Sequence, residues 1–242
     1  MNGPAIPPPY LVYAIGDVHG RADLQARLLA MIDADLAQFP DRHVIKIFLG
    51  DYIDRGPASR AVMDRLVAER ARAGQRVILL LGNHERLLLD FLDNPDSDGL
   101  WLQIGGAATV YSYGLVPPAR PQANDLRRLR DQLRHAIPGS HLDLIRSLPL
   151  TCQLGDYIFV HAGTRPGIPL ALQDPEDLLW IRDEFLRANH PAGQVIVHGH
   201  TPQTEVQTAI GRLGIDTGAF ATGKLTAARL DGARRHILQT GG

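Results

Sequence analysis

The sequence predicts an α/β fold whose strands deliver polar residues from their carboxyl ends. An apolar run of strand length is followed three times by a glycine-flanked polar loop and then by residues at helical spacing, and strands that end in polar loops return late in the chain. The 242 residues, 45% hydrophobic and 21% charged, suit a single globular domain spanning residues 1–242.

Met1 to Pro9 contains four prolines and a glycine and reads as an irregular arm. Tyr10 to Ile15 is a buried strand ending in Gly16-Asp17-Val18-His19-Gly20, after which Ala22 to Leu36 sets Leu24, Leu28, Leu29, Ile32 and Leu36 on one helical face. The unit recurs. Val44 to Leu49 leads to Gly50-Asp51-Tyr52-Ile53-Asp54-Arg55-Gly56 and a helix from Ala58 to Ala73, which Gly74 ends. Arg76 to Leu81 then leads to Gly82-Asn83-His84-Glu85 and a helix through Leu87, Leu88, Leu89 and Leu92.

Asp93 to Gly99 reads as a loop, and about residues 94–147 as an inserted helical cap. Within it Asp125 to His135 is a charged helix with a narrow apolar stripe, Leu126, Leu129 and Leu133. Its arginines Arg127, Arg128, Arg130 and Arg134 are read as a solvated face, with an acidic substrate as the alternative partner. Tyr157 to Val160 leads into His161-Ala162-Gly163, and Gln194 to Val197 into His198-Gly199-His200-Thr201-Pro202. Glu205 to Ala209, Leu213 to Asp216 and Lys224 to Leu230 read as a closing antiparallel meander.

A formal charge of -1 offers no case for nucleic acid or an anionic membrane, and no apolar run approaches the roughly 20 residues that span a bilayer. Cys152 has no internal partner and reads as a small buried hydrophobe. With no leader pattern at the start of the chain, the cytoplasm is the expected compartment.

The strand ends carry the chemistry. Asp17, His19, Asp51, Asn83, His84, His161 and His200 offer carboxylate, amide and imidazole donors suited to manganese, iron or zinc, without a thiolate. They exceed what one ion takes from protein, so a pair of ions fits, with a carboxylate bridging them. Asp51 and Asp54 could be ligands or an acid/base relay, and Arg55 offers a planar fork for phosphate.

The first three loops resemble the signature motifs of the phosphoprotein phosphatase family of calcineurin-like metallophosphoesterases. The intervals of twenty-nine and twenty-five residues between them are similar to the family's spacing. Trp180-Ile181-Arg182, Gly199-His200-Thr201-Pro202 and Ile215-Asp216-Thr217-Gly218 resemble its bacterial branch, which includes bacterial and phage serine/threonine protein phosphatases and diadenosine tetraphosphatases. The resemblance implies an αββα sandwich of two central sheets flanked by helices. It implies two divalent ions, manganese first with iron, zinc or magnesium as alternatives, held by Asp17, His19, Asp51, Asn83, His161 and His200, with Asp51 bridging.

It further implies that Arg55, Arg182 and Asn83 bind the substrate phosphate, and that His84, paired with Asp54, is the general acid. His198 becomes a supporting or packing residue. The reaction expected is phosphomonoester hydrolysis by a hydroxide shared between the ions. A phosphorylated protein or peptide is the first substrate, favoured by Tyr52 and the complete Asp54-Arg55-Gly56. A dinucleoside polyphosphate is the alternative, favoured by Trp101, Gly105-Gly106 and Ser112-Tyr113-Gly114. Leu81 departs from the pattern, because many such protein phosphatases carry arginine there.

Overall fold

The computed structural model describes residues 3–94 and 99–241. Met1 and Asn2 of the expected arm, and Pro95, Asp96, Ser97 and Asp98 of the expected loop before the cap, lie outside the described residues. In chain order the elements are β1 (Tyr10–Ile15), α1 (Ala22–Leu36), β2 (His43–Phe48), α2 (Ser59–Ala73), β3 (Val77–Leu79), α3 (Asn83–Asp93), α4 (Ala107–Ser112), α5 (Ala123–Ala136) and α6 (Gly139–Arg146). They continue with β4 (Thr151–Leu154), β5 (Tyr157–Val160), α7 (Pro175–Trp180), α8 (Asp183–Leu186), β6 (Val195–His198), β7 (Gln207–Ala209), β8 (Arg212–Gly214), α9 (Ala219–Thr222), β9 (Thr226–Asp231) and β10 (Arg234–Gln239).

Among the described residues the strands form two five-stranded sheets, ordered β10-β9-β1-β2-β3 and β4-β5-β6-β8-β7. The alternation of β1 shows how they stack. Leu11, Tyr13 and Ile15 enter the core beneath the helices, whereas Val12 and Ala14 enter a second core with Tyr157, Phe159, Val195 and Val197 of the other sheet. A third, smaller core joins Ile158, Val160 and Ile196 to Leu178, Ile181 and Phe185 of the α7–α8 segment. The result is the sandwich of two sheets between helical layers. β5 and β6 are buried on both faces, which is why they read as unbroken apolar runs.

The expected meander is not one sheet. β7 and β8 are an antiparallel hairpin, but β8 runs parallel to β6, and the chain then crosses to the other sheet, where β9 pairs antiparallel with β1 and β10. Strand composition does not say which of two stacked sheets a strand joins. β10 is not expected from the sequence at all, because Arg234, His236 and Ile237 are exposed and leave no apolar alternation.

The cap arginines also divide. Arg127 and Arg128 are solvated, contacting Asn124 and Asp125. Arg130 is buried, donates from Nε to the Phe91 carbonyl at 2.6 Å and lies over the Phe91 ring; Arg134 donates to the Leu92 carbonyl. Both cap the last carbonyls of α3, which a helix cannot satisfy internally. The amino-terminal arm is irregular yet docked, with Ile6 buried between the sheets and its N–H donating to the Gly232 carbonyl at 2.9 Å.

Candidate metal centre

The loops after β1, β2, β3, β5 and β6 converge at the carboxyl ends of the parallel strands. Their backbone is held where L-residues rarely go: His19, Asp51, Asp54, Arg55 and His200 lie at φ 43°, 52°, 73°, 65° and 64°. Left-handed non-glycine residues cost free energy and persist where the surroundings hold them. Glu85 does much of the holding. Its Oε2 accepts the N–H groups of Asp51 at 2.9 Å and Gly82 at 3.1 Å, and its Oε1 those of Tyr52 at 2.8 Å and Ile53 at 3.1 Å. Burial and the Asp51 charge push this carboxyl up to about 8, and the bonds from the backbone oppose them. Gly82 permits the approach, since a Cβ there would come 2.2 Å from the Asp51 nitrogen.

Asp51 stands between two donor groups. Among the described residues, His19, Asp51 and His84 form one group whose ligand atoms lie within 4.8 Å of each other, and Asp51, His161 and His200 form another. The His19 Nδ1–H donates to the Ile53 carbonyl at 2.9 Å, so Nε2 turns a lone pair toward Asp51 Oδ2 at 3.3 Å. The His161 Nδ1–H likewise donates to the Leu49 carbonyl at 2.9 Å, so its Nε2 lone pair faces Asn83 Oδ1 at 2.8 Å and Asp51 Oδ1 at 3.4 Å. Acceptor meets acceptor at both places. Burial pushes His19 down to about 3 and lowers His161 and His200, so these rings are neutral.

Negative charge accumulates around them. Asp17 accepts the His200 N–H at 3.0 Å, but its Oδ1, like His19 Nε2 and His200 Nε2, is buried without a hydrogen-bond partner. Burial, then the charges of Asp216 and Asp51, raises the Asp17 carboxyl well above its usual range, and burial brings Asp216 to about 6. Converging lone pairs, buried ligand atoms without a partner and carboxyls whose ionisation burial and neighbouring charge oppose are what divalent cations resolve, so the residues fit a two-metal centre.

Beside Asp51 and equally buried, His84 Nδ1 lies 2.7 Å from Asp54 Oδ2, and Arg55 Nη2 donates to His84 Nε2 at 3.0 Å. Against the effect of burial, the Asp51 charge and the Asp54 bond hold His84 above the ordinary imidazole value. Arg182 is exposed, and its charge is felt at His161 and His200. Two half-exposed rings flank the centre. Phe220 lies edge to face with His19 and beneath the Arg55 guanidinium, 4.8 Å from carbon to ring centre, and Trp180 lies edge to face with His200.

The structure thus gathers Asp17, His19, Asp51, Asp54, Arg55, Asn83, His84, His161 and His200, with Arg182 at the exposed edge. Other expected features are structural. Tyr52 is buried, donating to the Leu80 carbonyl at 2.7 Å, and Leu81 packs in the main core. His198 packs against Phe185, and Cys152 is half-buried in β4. Sequence reasoning left Glu85, Asp216 and Phe220 without roles. A glutamate at the third residue of a helix signals a capping box, and Glu85 bonds the Gly82 N–H as such a residue should while also reaching Asp51, Tyr52 and Ile53.

The calcineurin-like phosphoesterase family matches residues 10–226. The chain belongs to that family. This phosphoesterase is therefore a hydrolase of a family that depends on dinuclear metal centres, and it carries candidate ligand groups for one. Serine/threonine-protein phosphatase 1 of Salmonella typhimurium is 28% identical over 224 residues, covering 90% of this chain and 91% of that protein. The symmetrical bis(5'-nucleosyl)-tetraphosphatase of Acidovorax ebreus is 31% identical over 159 residues, covering 64% of this chain and 44% of that protein. The cold-active protein-tyrosine phosphatase of a psychrophilic Shewanella shares the fold, with a TM-score of 0.56 at 20% identity over 95% of this chain and 80% of that one. Among the described residues no helix is long and apolar enough to cross a membrane.

Proposed function

We propose that this phosphoesterase hydrolyses phosphate monoesters of serine and threonine in proteins, and that two metal ions would be held at the candidate centre, one by Asp17, His19 and Asp51, the other by Asp51, Asn83, His161 and His200. The observation that carries the reading is the position of Asp51 within 3.3 Å of His19 Nε2 and 3.4 Å of His161 Nε2, both bearing lone pairs. Manganese is the first expectation for donors of this oxygen and nitrogen type, which iron, zinc and magnesium also accept. When bound, the ions supply charge neutralisation at the phosphoryl group and acidify the attacking water.

The chain's own residues do the rest. Arg55 and Arg182 approach from the rim and neutralise the phosphoryl oxygens, with Asn83 beside them. As a phosphate draws Arg55 away, His84 Nε2 becomes free to hold a proton, and Asp54 fixes the ring through Nδ1. Water attacks phosphorus and gives up a proton to solvent, the bond to the ester oxygen breaks, and His84 gives its proton to the departing alkoxide and is reprotonated from solvent. Alcohol and inorganic phosphate leave.

The serine/threonine phosphatase relative, aligned over nearly the whole of both chains, supports the protein substrate. A second reading, hydrolysis of dinucleoside polyphosphates, is favoured by Phe220 and Trp180, half-exposed rings beside the centre on which a nucleobase could stack. A side-by-side assay with added manganese, phosphoserine and phosphothreonine peptides against diadenosine tetraphosphate, decides between them. Strong preference for the dinucleotide reverses the ranking.

A further inference from the structure

The Asp54 carboxylate is held by the cap as well as by His84. Asp54 is fully buried. Its Oδ2, 2.7 Å from His84 Nδ1, also accepts the Trp101 indole N–H at 2.8 Å, and its Oδ1 accepts the Thr109 hydroxyl at 2.6 Å. Trp101 lies just before a π-type turn, Leu102–Gly106, and Thr109 on α4, so both reach Asp54 from the helical segment between α3 and β4. Of the four lone-pair positions of a carboxylate, three are filled, one by His84 of α3 and two by Trp101 and Thr109 of the cap. The carboxylate plane cannot rotate without breaking one of these bonds.

The backbone is bound in the same way. The Arg55 N–H donates to the Gly105 carbonyl at 3.1 Å, and the Asp54 N–H meets the hydroxyls of Ser59 and Thr109 at 3.0 and 2.9 Å. Two glycines allow so close an approach. A Cβ on Gly105, which sits at φ 130°, would lie 2.8 Å from Arg55 Cγ; one on Gly106 would lie 2.4 Å from the Trp101 ring. The Trp101 ring itself packs on Phe91 at 5.3 Å.

We propose that Trp101 and Thr109 are positioning residues for proton transfer to the leaving group: the cap sets the Asp54–His84 pair, and is thereby part of the catalytic apparatus as well as a cover. The proposal rests on the reading of His84 as proton donor. A fixed Asp54 fixes the His84 ring, and proton donation depends on that ring's aim at the ester oxygen. Loss of one donor lets the carboxylate turn and the ring follow it, while the phosphate and metal contacts stay in place.

The test is leaving-group dependence in the full-length, manganese-loaded protein. A phosphoserine peptide leaves as an alkoxide that needs a proton, whereas p-nitrophenyl phosphate leaves as a stable phenolate. Trp101→Phe keeps an aromatic ring against Phe91, and Thr109→Val keeps the side-chain shape. Each is expected to lower the ratio of phosphoserine to p-nitrophenyl turnover about tenfold through kcat, with KM and metal content unchanged. Thr109→Ser, which restores the hydroxyl, should restore the ratio. An unchanged ratio in both Trp101→Phe and Thr109→Val overturns the proposal, whatever their absolute rates. His84→Asn in the same assay separates the two levels. If His84→Asn loses both substrates equally, the proton-donor reading fails; if it discriminates and the cap variants do not, only the role of the cap fails.

Discussion

The backbone N–H of Asp51 donates to Glu85 Oε2 at 2.9 Å, tying the proposed bridging ligand to the first turn of α3. The same carboxylate takes the N–H groups of Tyr52, Ile53 and Gly82, all buried. Glu85→Ala strands these donors, and a buried unsatisfied donor costs about 1–3 kcal/mol. A loss of roughly 3 kcal/mol or more in urea unfolding is expected, with weakened metal retention. A stable, metal-replete Glu85→Ala protein would show that the loop holds its left-handed residues without this support.

Asp51→Asn keeps the size of the side chain and removes the anion between the two donor groups. Turnover should fall to near background at saturating manganese, and bound metal per chain should drop. Wild-type activity in a metal-replete Asp51→Asn protein would sink the bridging assignment.

Metal removal should also weaken the fold, because Asp17 Oδ1, His19 Nε2 and His200 Nε2 are buried without other partners. An ion present at a hundred times its dissociation constant stabilises by about 2.7 kcal/mol per site. Chelation should therefore lower the thermal midpoint, and manganese should restore it. The same titration on Asp51→Asn should give a smaller shift; equal shifts would place the metal elsewhere.

His141 supplies a pH dependence away from the metal centre. Its Nδ1 faces the Tyr113 hydroxyl at 2.9 Å and its Nε2 faces Asp64 at 3.0 Å, an arrangement that suits a neutral ring accepting from Tyr113 and donating to Asp64. Burial lowers this histidine below its ordinary value, against the pull of Asp64. The unfolded chain therefore binds the proton more readily. The stabilising contribution is complete above the unfolded value near 6.5 and is lost as pH falls through it toward the lower folded value, with a slope of at most about 1.4 kcal/mol per unit. Urea unfolding of wild type and His141→Gln between pH 8 and pH 5 should show a shallower decline in the variant. Parallel curves would remove His141 as the source.

What the sequence made legible follows from how local each signal is. Asp17, His19, Asp51, Asn83, His161 and His200 follow apolar strands directly, and within each sheet parallel strands bring their carboxyl ends to one edge, so two half-clusters could be read from the strands, while their meeting depends on how the two sheets stack. Arg130 and Arg134 could not be read this way. Their charge suits a solvated helix equally well, and only the docking of α5 on α3 turns them toward the carbonyls of Phe91 and Leu92. Tyr52 is the reverse case: a polar residue inside a functional motif whose hydroxyl serves the core. The Trp101 and Thr109 bonds to Asp54 span 47 and 55 residues, and no local pattern specifies such pairings.

Phe220 and Trp180 give a handle on the substrate itself. Phe220 is 37% exposed under Arg55, and Trp180 is 37% exposed beside His200, so each offers aromatic surface at the mouth of the centre. Stacking of a base on an aromatic side chain is worth about 1–3 kcal/mol by alanine substitution. If the rings serve a nucleotide, Phe220→Ala and Trp180→Ala should each lower kcat/KM for diadenosine tetraphosphate by roughly 5–150-fold. Loss of the Phe220 ring also frees the Arg55 guanidinium, an effect common to every phosphate ester, so the phosphoserine peptide measured in parallel isolates the stacking contribution. A fall confined to the dinucleotide would identify the rings as a base-binding pair and move the physiological substrate toward nucleotides. Equal falls on both substrates would leave Phe220 as a support for Arg55 and remove the observation on which the nucleotide reading stands.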